Sequence, residues 1–496
     1  MAVSRSLLLF LISFCLVSAD ANSEDRDSNW PQFRGENCSG VSAAVPVEFG
    51  SGKLEKWSLE LPSGHSSPSI WGENIFLTGF DKESKELSVL CIDKETGKLN
   101  WQKSVQVEKV ERGHPTFNPA SSTAVTDGER VCAYFGSYGL ICYDIDGNQL
   151  WDFKLPLAKS YSGDASSPII WNDRVIFYRA NNVDNFLIAI DKTTGEPIWK
   201  KEFRTRFNPS LSCAATPVVA DDLVIIHCIG GLQAHRLDDG KKVWNARLAT
   251  TATSTPIVAN GHVFVATWLQ QGEPDLLPEY PKFAKLLEEN DKDNDGAISK
   301  SEFPKMSIFH RPEGAEAPQS RFPLGFGMVD QSRDGSISSL EWTTFLTLSK
   351  AQRSFGKQKH GLYSVSLGGE GNVTKDRVTS LEDRAIAEVP TPVFYDDRIY
   401  MVKNGGIVTC IDATAGKRVF QKRLGSRGTH YASPVIAGDK LYLSSGNGEI
   451  AVIDLSLDTP KRIATNKIGD GIFATPAVVD GRIYVRTESK LFAFGE

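Results

Sequence analysis

Three things are missing from this chain of 496 residues: an excess of positive charge, adjacent cysteines, and any apolar run long enough to cross a bilayer. Lysine and arginine number 55 against 61 aspartates and glutamates, and they are dispersed, so no basic stripe exists to neutralise phosphates and nucleic acid is excluded as a partner. The eight cysteines form no Cys-x-x-Cys-His, which removes covalent c-type haem. Methionine is scarce, at four, beside 42 glycines, 24 prolines and 10% aromatics, a balance that favours many short strands joined by turns over long helices. With 41% hydrophobic and 23% charged residues the chain has the means to bury a large core and is not a disordered polymer.

The first residues read as an export signal. Arg5 precedes the apolar stretch Leu7 to Val17, which is followed by Ser18, Ala19, Asp20 and Ala21. This predicts a signal peptide over residues 1–21 and a mature protein that is periplasmic or secreted, has no transmembrane segment and acts as a monomer. Phe14 before Cys15 is too bulky for a lipoprotein signal. Cys38, Cys91, Cys132, Cys142, Cys213, Cys228 and Cys410 remain, mostly within apolar runs that predict buried thiols. Cys132 and Cys142 flank the turn Gly136-Ser137-Tyr138-Gly139 and are the candidates for a cross-strand disulfide.

An internal repeat organises most of the rest. A Ser/Thr-Pro step before an apolar strand recurs every 40 to 55 residues or so: Ser67-Pro68, Ser167-Pro168, Thr216-Pro217, Thr255-Pro256, Thr391-Pro392, Ser433-Pro434 and Thr475-Pro476, with Ser122-Thr123 lacking the proline. The eight units each hold about four strands, which predicts an all-β, eight-bladed propeller of four-stranded blades. A turn pattern, Asp93-x-x-Thr96-Gly97-x-x-x-Trp101, returns at Asp191/Thr194/Gly195/Trp199 and more loosely at Asp144/Gly147/Trp151, Asp238/Gly240/Trp244 and Asp412/Gly416/Phe420. Its chemistry is structural: Asp and Thr bond their own turn, Gly supplies a positive φ, and the aromatic packs between sheets. The last unit ends one strand short, so Lys56 to Leu61 is expected to complete it and lock the ring.

The leader Trp30-Pro31-Gln32-Phe33-Arg34-Gly35, the Ser/Thr-Pro starts and the Asp-x-x-Thr-Gly-x-x-x-Trp turns resemble the pyrroloquinoline-quinone-like propeller repeat family. The resemblance implies the eight-bladed fold, shared by quinoprotein alcohol dehydrogenases and by non-enzymatic relatives such as the barrel-assembly lipoprotein of bacterial outer membranes. Fold alone does not choose between them.

One interval is too long and changes character. Residues 269–356, charged and helical in pattern, interrupt the fifth unit and divide the propeller into residues 22–268 and 357–496. Within them Asp291, Asp293, Asp295, the Ala297 carbonyl, Ser299 and Glu302 stand at the ligand positions of an EF-hand loop around Gly296. Asp330, Ser332, Asp334, Ser336, Ser338 and Glu341 repeat the spacing around Gly335. Oxygen donors in this order call for calcium, a hard cation. Loop one has four ligand carboxylates and loop two three, which predicts tighter binding at loop one. Helices are expected at Pro281 to Glu289 and Glu341 to Ser354 with short inner ones, and Ile298 should pair with the partner loop. Because the insertion replaces a turn between second and third strands, it is expected at the rim of the central funnel.

Polar residues entering the first strands, His65, Arg112, His114, Asn118, Asp164, Ser210, Thr253, Arg427 and His430, are the candidates to face that funnel. They show no nucleophile–base spacing and no metal cluster. The expectation is therefore a calcium-binding propeller that acts as a non-catalytic binding or scaffold module for a protein or an envelope polymer. The alternatives are a pyrroloquinoline-quinone-dependent dehydrogenase and an envelope assembly scaffold.

Overall fold

The computed structural model describes residues 28–203, 214–269, 279–309, 322–354, 359–457 and 459–496. The predicted signal peptide, Ser210 and Cys213 lie outside them. Eight sheets follow one another around an axis, and in all but the last the four blade strands run in sequence order from the centre outwards, as in Ser69–Trp71, Asn74–Asp81, Glu86–Asp93 and Leu99–Gln106. Second strands such as Leu223–Cys228 are almost wholly buried because neighbouring blades cover both of their faces, and their sequence is correspondingly apolar at nearly every position, His227 being the exception in this strand. Outer strands such as Leu99–Gln106 alternate between half-buried and exposed. Hydrophobic clusters accordingly sit between blades rather than inside them: Ile176, Tyr178 and Leu187 of the third blade pack with Val224 and Ile226 of the fourth.

The ring closes as the short last unit required. Glu55–Glu60 pairs antiparallel with Lys490–Phe494, Leu59 opposite Leu491, and supplies the outer strand of the eighth blade. The fifth blade in chain order is built from Ile257–Ala259, His262–Thr267, Gly361–Ser366 and Val378–Glu382. Its second and third strands meet at Thr267 and Gly361, which are 94 positions apart, so the insertion leaves and rejoins the sheet at one rung.

The turn pattern has a second purpose that periodicity alone does not reveal. Asp93 Oδ1 accepts from the Thr96 amide and hydroxyl, both at 2.7 Å, as the local reading requires. Four outer-strand tryptophans, however, reach the turn of the next blade: Trp57 Nε1 donates to Lys94 O at 3.0 Å, Trp101 to Ile145 O at 2.9 Å, Trp151 to Lys192 O at 3.0 Å and Trp199 to Leu237 O at 2.9 Å, whereas the buried Trp244 Nε1 has no hydrogen-bond partner. The indole lies on the turn glycine, so a Cβ at Gly195 would stand 2.6 Å from Trp151. The glycine thus serves both a left-handed φ of +77° and a close approach.

The leader was read as a family mark only; in the fold it is a plug. Trp30 bridges to Ile70, Pro31 O accepts from Thr126 N, Asn37 exchanges two bonds with Val219, and Val41–Ser42 adds a parallel strand to Val435–Ala437. These are the far ends of first strands in four different blades. From this crossing Arg34 reaches up the axis, fully buried, donating to Thr391 O, Pro392 O and Pro434 O at 2.9 to 3.1 Å and to Cys38 O and Ser39 O. Burial without a facing carboxylate lowers its pKa to about 10, so it is still charged at neutral pH.

Cys132 and Cys142 stand directly opposite one another and form a disulfide, while Cys38, Cys91, Cys228 and Cys410 are buried thiols. Gly195→Ala should lower the melting temperature more than Gly261→Ala. Both positions have positive φ, +77° and +73°, but nothing lies within 4 Å of a Cβ at Gly261. The left-handed strain of about 1–2 kcal/mol is common to the two, and overpacking adds about 1–3 kcal/mol at Gly195 alone. Thermal unfolding of the two variants measures the difference, and equal losses would remove the packing role assigned to Trp151.

Candidate functional site

The Ser/Thr of each blade start faces the axis, where the hydroxyls form a ring. The Ser67 amide donates to Thr123 Oγ1 at 3.0 Å, Thr123 N to Ser167 Oγ at 3.0 Å, Thr216 N to Thr255 Oγ1 at 3.0 Å and Thr255 N to Thr391 Oγ1 at 2.9 Å. Thr391 N reaches Ser433 Oγ, Ser433 N reaches Thr475 Oγ1, and Thr475 N returns to Ser67 Oγ, each at 3.0 Å. At the remaining junction Ser166 Oγ donates to Ala215 O at 3.0 Å. Each of the seven amide contacts satisfies a buried N–H that the short first strand leaves outside its own ladder. The ring was not anticipated, although its signal was present: Thr123 lacks the proline but keeps the hydroxyl.

Inside the ring is a cavity of about 620 Å³ whose wall includes all eight of these hydroxyl residues. Phe33 of the leader contributes to the lining, and so do Trp268, Leu269 and Ile308, the last two belonging to the insertion. The module therefore stands at the cavity, in keeping with the expectation from the position of its parent turn.

The predicted funnel residues divide. His65, His114 and Thr253 line the cavity. Arg112 and Arg427 are exposed, and neither they nor Asn118, Asp164 and His430 belong to the described lining. Asn118 is a buried loop brace, its Nδ2 donating to Ser63 Oγ at 2.8 Å and its Oδ1 accepting from Ala120 N at 2.8 Å. His430 is buried with Nε2 on Ser426 O at 2.9 Å. Asp164 is instead locked between blades by Tyr134 Oη at 2.9 Å and Asn181 Nδ2 at 3.0 Å, with Arg179 Nε at 4.0 Å. Burial pushes its carboxyl up and Arg179 pulls it back. Glu111 completes this cluster, and burial followed by repulsion from Asp164 raises its pKa well above the carboxylate range. These groups fix the loops that carry His114 and Tyr161.

The inserted module is a paired calcium-loop unit with its own small core. Helices Phe283–Asn290 and Ser339–Ser354 flank it, and among the described residues a 3₁₀ turn at Phe326–Met328 is the only helical element between the loops. Phe303-Pro304 and Phe322-Pro323 account for that brevity, because proline cannot donate inside a helix. Ile298 and Ile337 pair antiparallel between the loops and are fully buried with Leu286, Val329 and Trp342.

Both loops have the fold that calcium requires. Gly296 and Gly335 take φ of +80° and +89°, and their amides donate to the first aspartates, Asp291 Oδ2 at 3.1 Å and Asp330 Oδ2 at 3.2 Å. Glu302 and Glu341 are held back over their loops by the amides of Ser299 and Ser338 at 2.9 Å. Their pKa values fall to about 2, Glu302 chiefly through the Ser299 hydroxyl and amide, Glu341 through the amides of Ser332 and Ser338. Ligand oxygens of Asp291, Asp293 and Glu302 lie within 4.8 Å of one another, and the buried Asp291 Oδ1 has no hydrogen-bond partner. At Asp293 the Asp295 amide lowers the pKa, yet desolvation and the neighbouring carboxylates raise it overall. An orphaned oxygen within crowded negative charge fits a divalent cation.

Away from the loops, His227 links the fourth blade to the fifth through Nδ1 to Ser254 O at 2.6 Å and Nε2 to Thr250 Oγ1 at 2.7 Å. Burial lowers its pKa from 6.5 to about 4, so it contributes stability that is present above pH 6.5 and lost as pH falls through the folded value. His227→Gln should flatten the decline in melting temperature between those two values relative to the parent protein. An unchanged slope would show that His227 is not a source of the acid sensitivity.

Comparison with known proteins matches this architecture. Residues 85–272 and 369–495 fit the family described as outer membrane protein assembly factor BamB, and residues 283–307 and 325–346 fit the EF hand. The outer membrane protein assembly factor BamB of Yersinia pestis is 26% identical over 294 residues, which cover 54% of this chain and 67% of that protein. Among solved structures, BamB from Moraxella catarrhalis superposes with a TM-score of 0.51 at 12% identity over 89% of this chain and 99% of that one. Quinohemoprotein alcohol dehydrogenase from Comamonas testosteroni does so with a TM-score of 0.54 at 12% identity over 96% and 81%. At such identities the superpositions establish the propeller and nothing of its chemistry. The sequence match, the ring of blades and the paired loops together make this chain a member of the BamB family, a repeat propeller of the pyrroloquinoline-quinone type, with an EF-hand pair set into it.

Proposed function

We propose that this protein is an exported, calcium-binding propeller that serves the cell envelope as a non-catalytic binding or scaffold module for a protein or an envelope polymer, acting as a monomer. The observation that carries the reading is the donor set of the axial cavity. Pyrroloquinoline quinone is a planar tricarboxylate, so a site for it needs cations. Among the described lining residues there is no lysine or arginine, and Glu388 is a carboxylate. His65, pushed down to about 4 by burial and then by Arg486, is neutral at pH 7. These residues do not fit the quinone, and no catalytic step is derived through it. The family match to an assembly factor supports the same side of the choice.

Calcium has a structural role in this reading. Its proposed ligands are the carboxylates of Asp291, Asp293, Asp295 and Glu302 with Ala297 O and Ser299 in the first loop, and Asp330, Ser332, Asp334, Ser336, Ser338 and Glu341 in the second. Binding to the folded loops alone stabilises them by about 4 kcal/mol at a thousandfold excess over Kd. The near absence of inner helices among the described residues leaves little room for the opening motion of sensor EF-hands.

Calcium titration followed by thermal unfolding should give two sites and a higher melting temperature. Glu302→Gln should remove the tighter site and most of the gain, and Glu341→Gln the weaker one; the reverse order would refute the carboxylate ranking. Incubation of the calcium-loaded protein with pyrroloquinoline quinone, followed by dye-linked oxidation of alcohols and sugars, tests the module itself. No stoichiometric uptake and no turnover are expected, and turnover would replace this function with that of an oxidoreductase.

A further inference from the structure

The axial cavity has a wall chemistry that neither ring closure nor calcium uses. His65 stacks on Phe473 with centroids 4.7 Å apart and planes at 24°, and Phe473 stacks on Tyr431 at 5.6 Å and 21°. These rings form one continuous aromatic wall. Tyr161 adds a further ring at the cavity, edge-on to His114 at 5.7 Å, and is 53% exposed, unusual for so large an aromatic group. The hydroxyls of the ring face the same space. Seven of the eight blade starts give their oxygen to a neighbouring amide, and no hydroxyl proton of the eight is donated to another described group.

We infer that the axial cavity is a saccharide-binding site that takes the end of a neutral glycan. The inference rests on the binding-module reading and names the class of ligand. A pyranose ring has an apolar C–H face, which suits stacking on Phe473, Tyr431 and Tyr161, and a girdle of oxygens, which suits a ring of hydroxyl donors. Glu388 accepts from sugar hydroxyls. The described wall holds no lysine or arginine to attract an anion. A purely apolar ligand would bury the hydroxyl protons without acceptors, which costs free energy for each one desolvated. The volume of about 620 Å³ lies in the range, about 300–1,000 Å³, of pockets that enclose small molecules.

Isothermal titration of the calcium-loaded, full-length mature protein with cellotriose, maltotriose, chitotriose and trigalacturonate tests the inference. At least one neutral trisaccharide should bind saturably with one site, and trigalacturonate should not. Tyr161→Ala, on an exposed ring, should weaken that binding about tenfold or more while leaving calcium uptake and melting temperature unchanged. Phe473→Ala should weaken it by at least as much. The site is refuted if no neutral trisaccharide binds at millimolar concentration, if trigalacturonate binds more tightly, or if both variants keep the parent affinity. Absence of saccharide binding together with absence of quinone turnover would refute this ligand and leave the scaffold reading standing.

Discussion

Everything else in this fold depends on eight wedges meeting at an axis, where hydrogen bonds from one blade start to the next hold them together. First strands are three residues long or shorter, so their leading amides have no partner in their own sheet. A Ser or Thr hydroxyl from the next blade provides one, and the same contact sets the distance between blades. Proline after it fixes φ and holds its own residue extended, but Thr123 shows that the hydroxyl is the constant and the proline is not. Ring closure then falls to Glu55–Glu60, which joins the chain's beginning to its end.

Two features outside the repeat turn this ring into a vessel. The leader crosses the far ends of the first strands and sends Arg34 up the axis, where the guanidinium gathers carbonyls from the sixth and seventh blades. A charged group serves here because its donors are needed in several directions at once. The inserted module brings Ile308 into the cavity wall. One end of the channel is crossed by the leader, then, and the EF-hand unit borders the cavity within.

The repeat was legible because its signal is local: alternation, turn chemistry and the stop before a fourth strand can each be read from a few neighbouring residues. The same holds for the calcium loops, whose ligands fall within twelve positions of one another. The cavity was legible only in part. His65, His114 and Thr253 stood in the right loops, but whether a loop residue turns inward depends on partners far away in sequence. Asp164 stood among the funnel candidates, but Tyr134 and Arg179, distant in sequence, hold it between blades. Arg34 and Pro434 lie 400 positions apart, and no local pattern joins them. Phe473 and Tyr431 were missed because an aromatic beside an apolar strand reads as core until the empty space next to it is seen.

The most direct test of this account is the stability of Thr391→Val against Thr391→Ser. Valine keeps the shape but removes the oxygen that accepts from Thr255 N, whereas serine retains it. The hydroxyl ring predicts that valine costs about 1–3 kcal/mol of unfolding free energy and accelerates exchange of the Thr255 amide, while serine restores slow exchange. Equal stability and equal exchange in the two variants would contradict it and would assign the blade starts to packing alone.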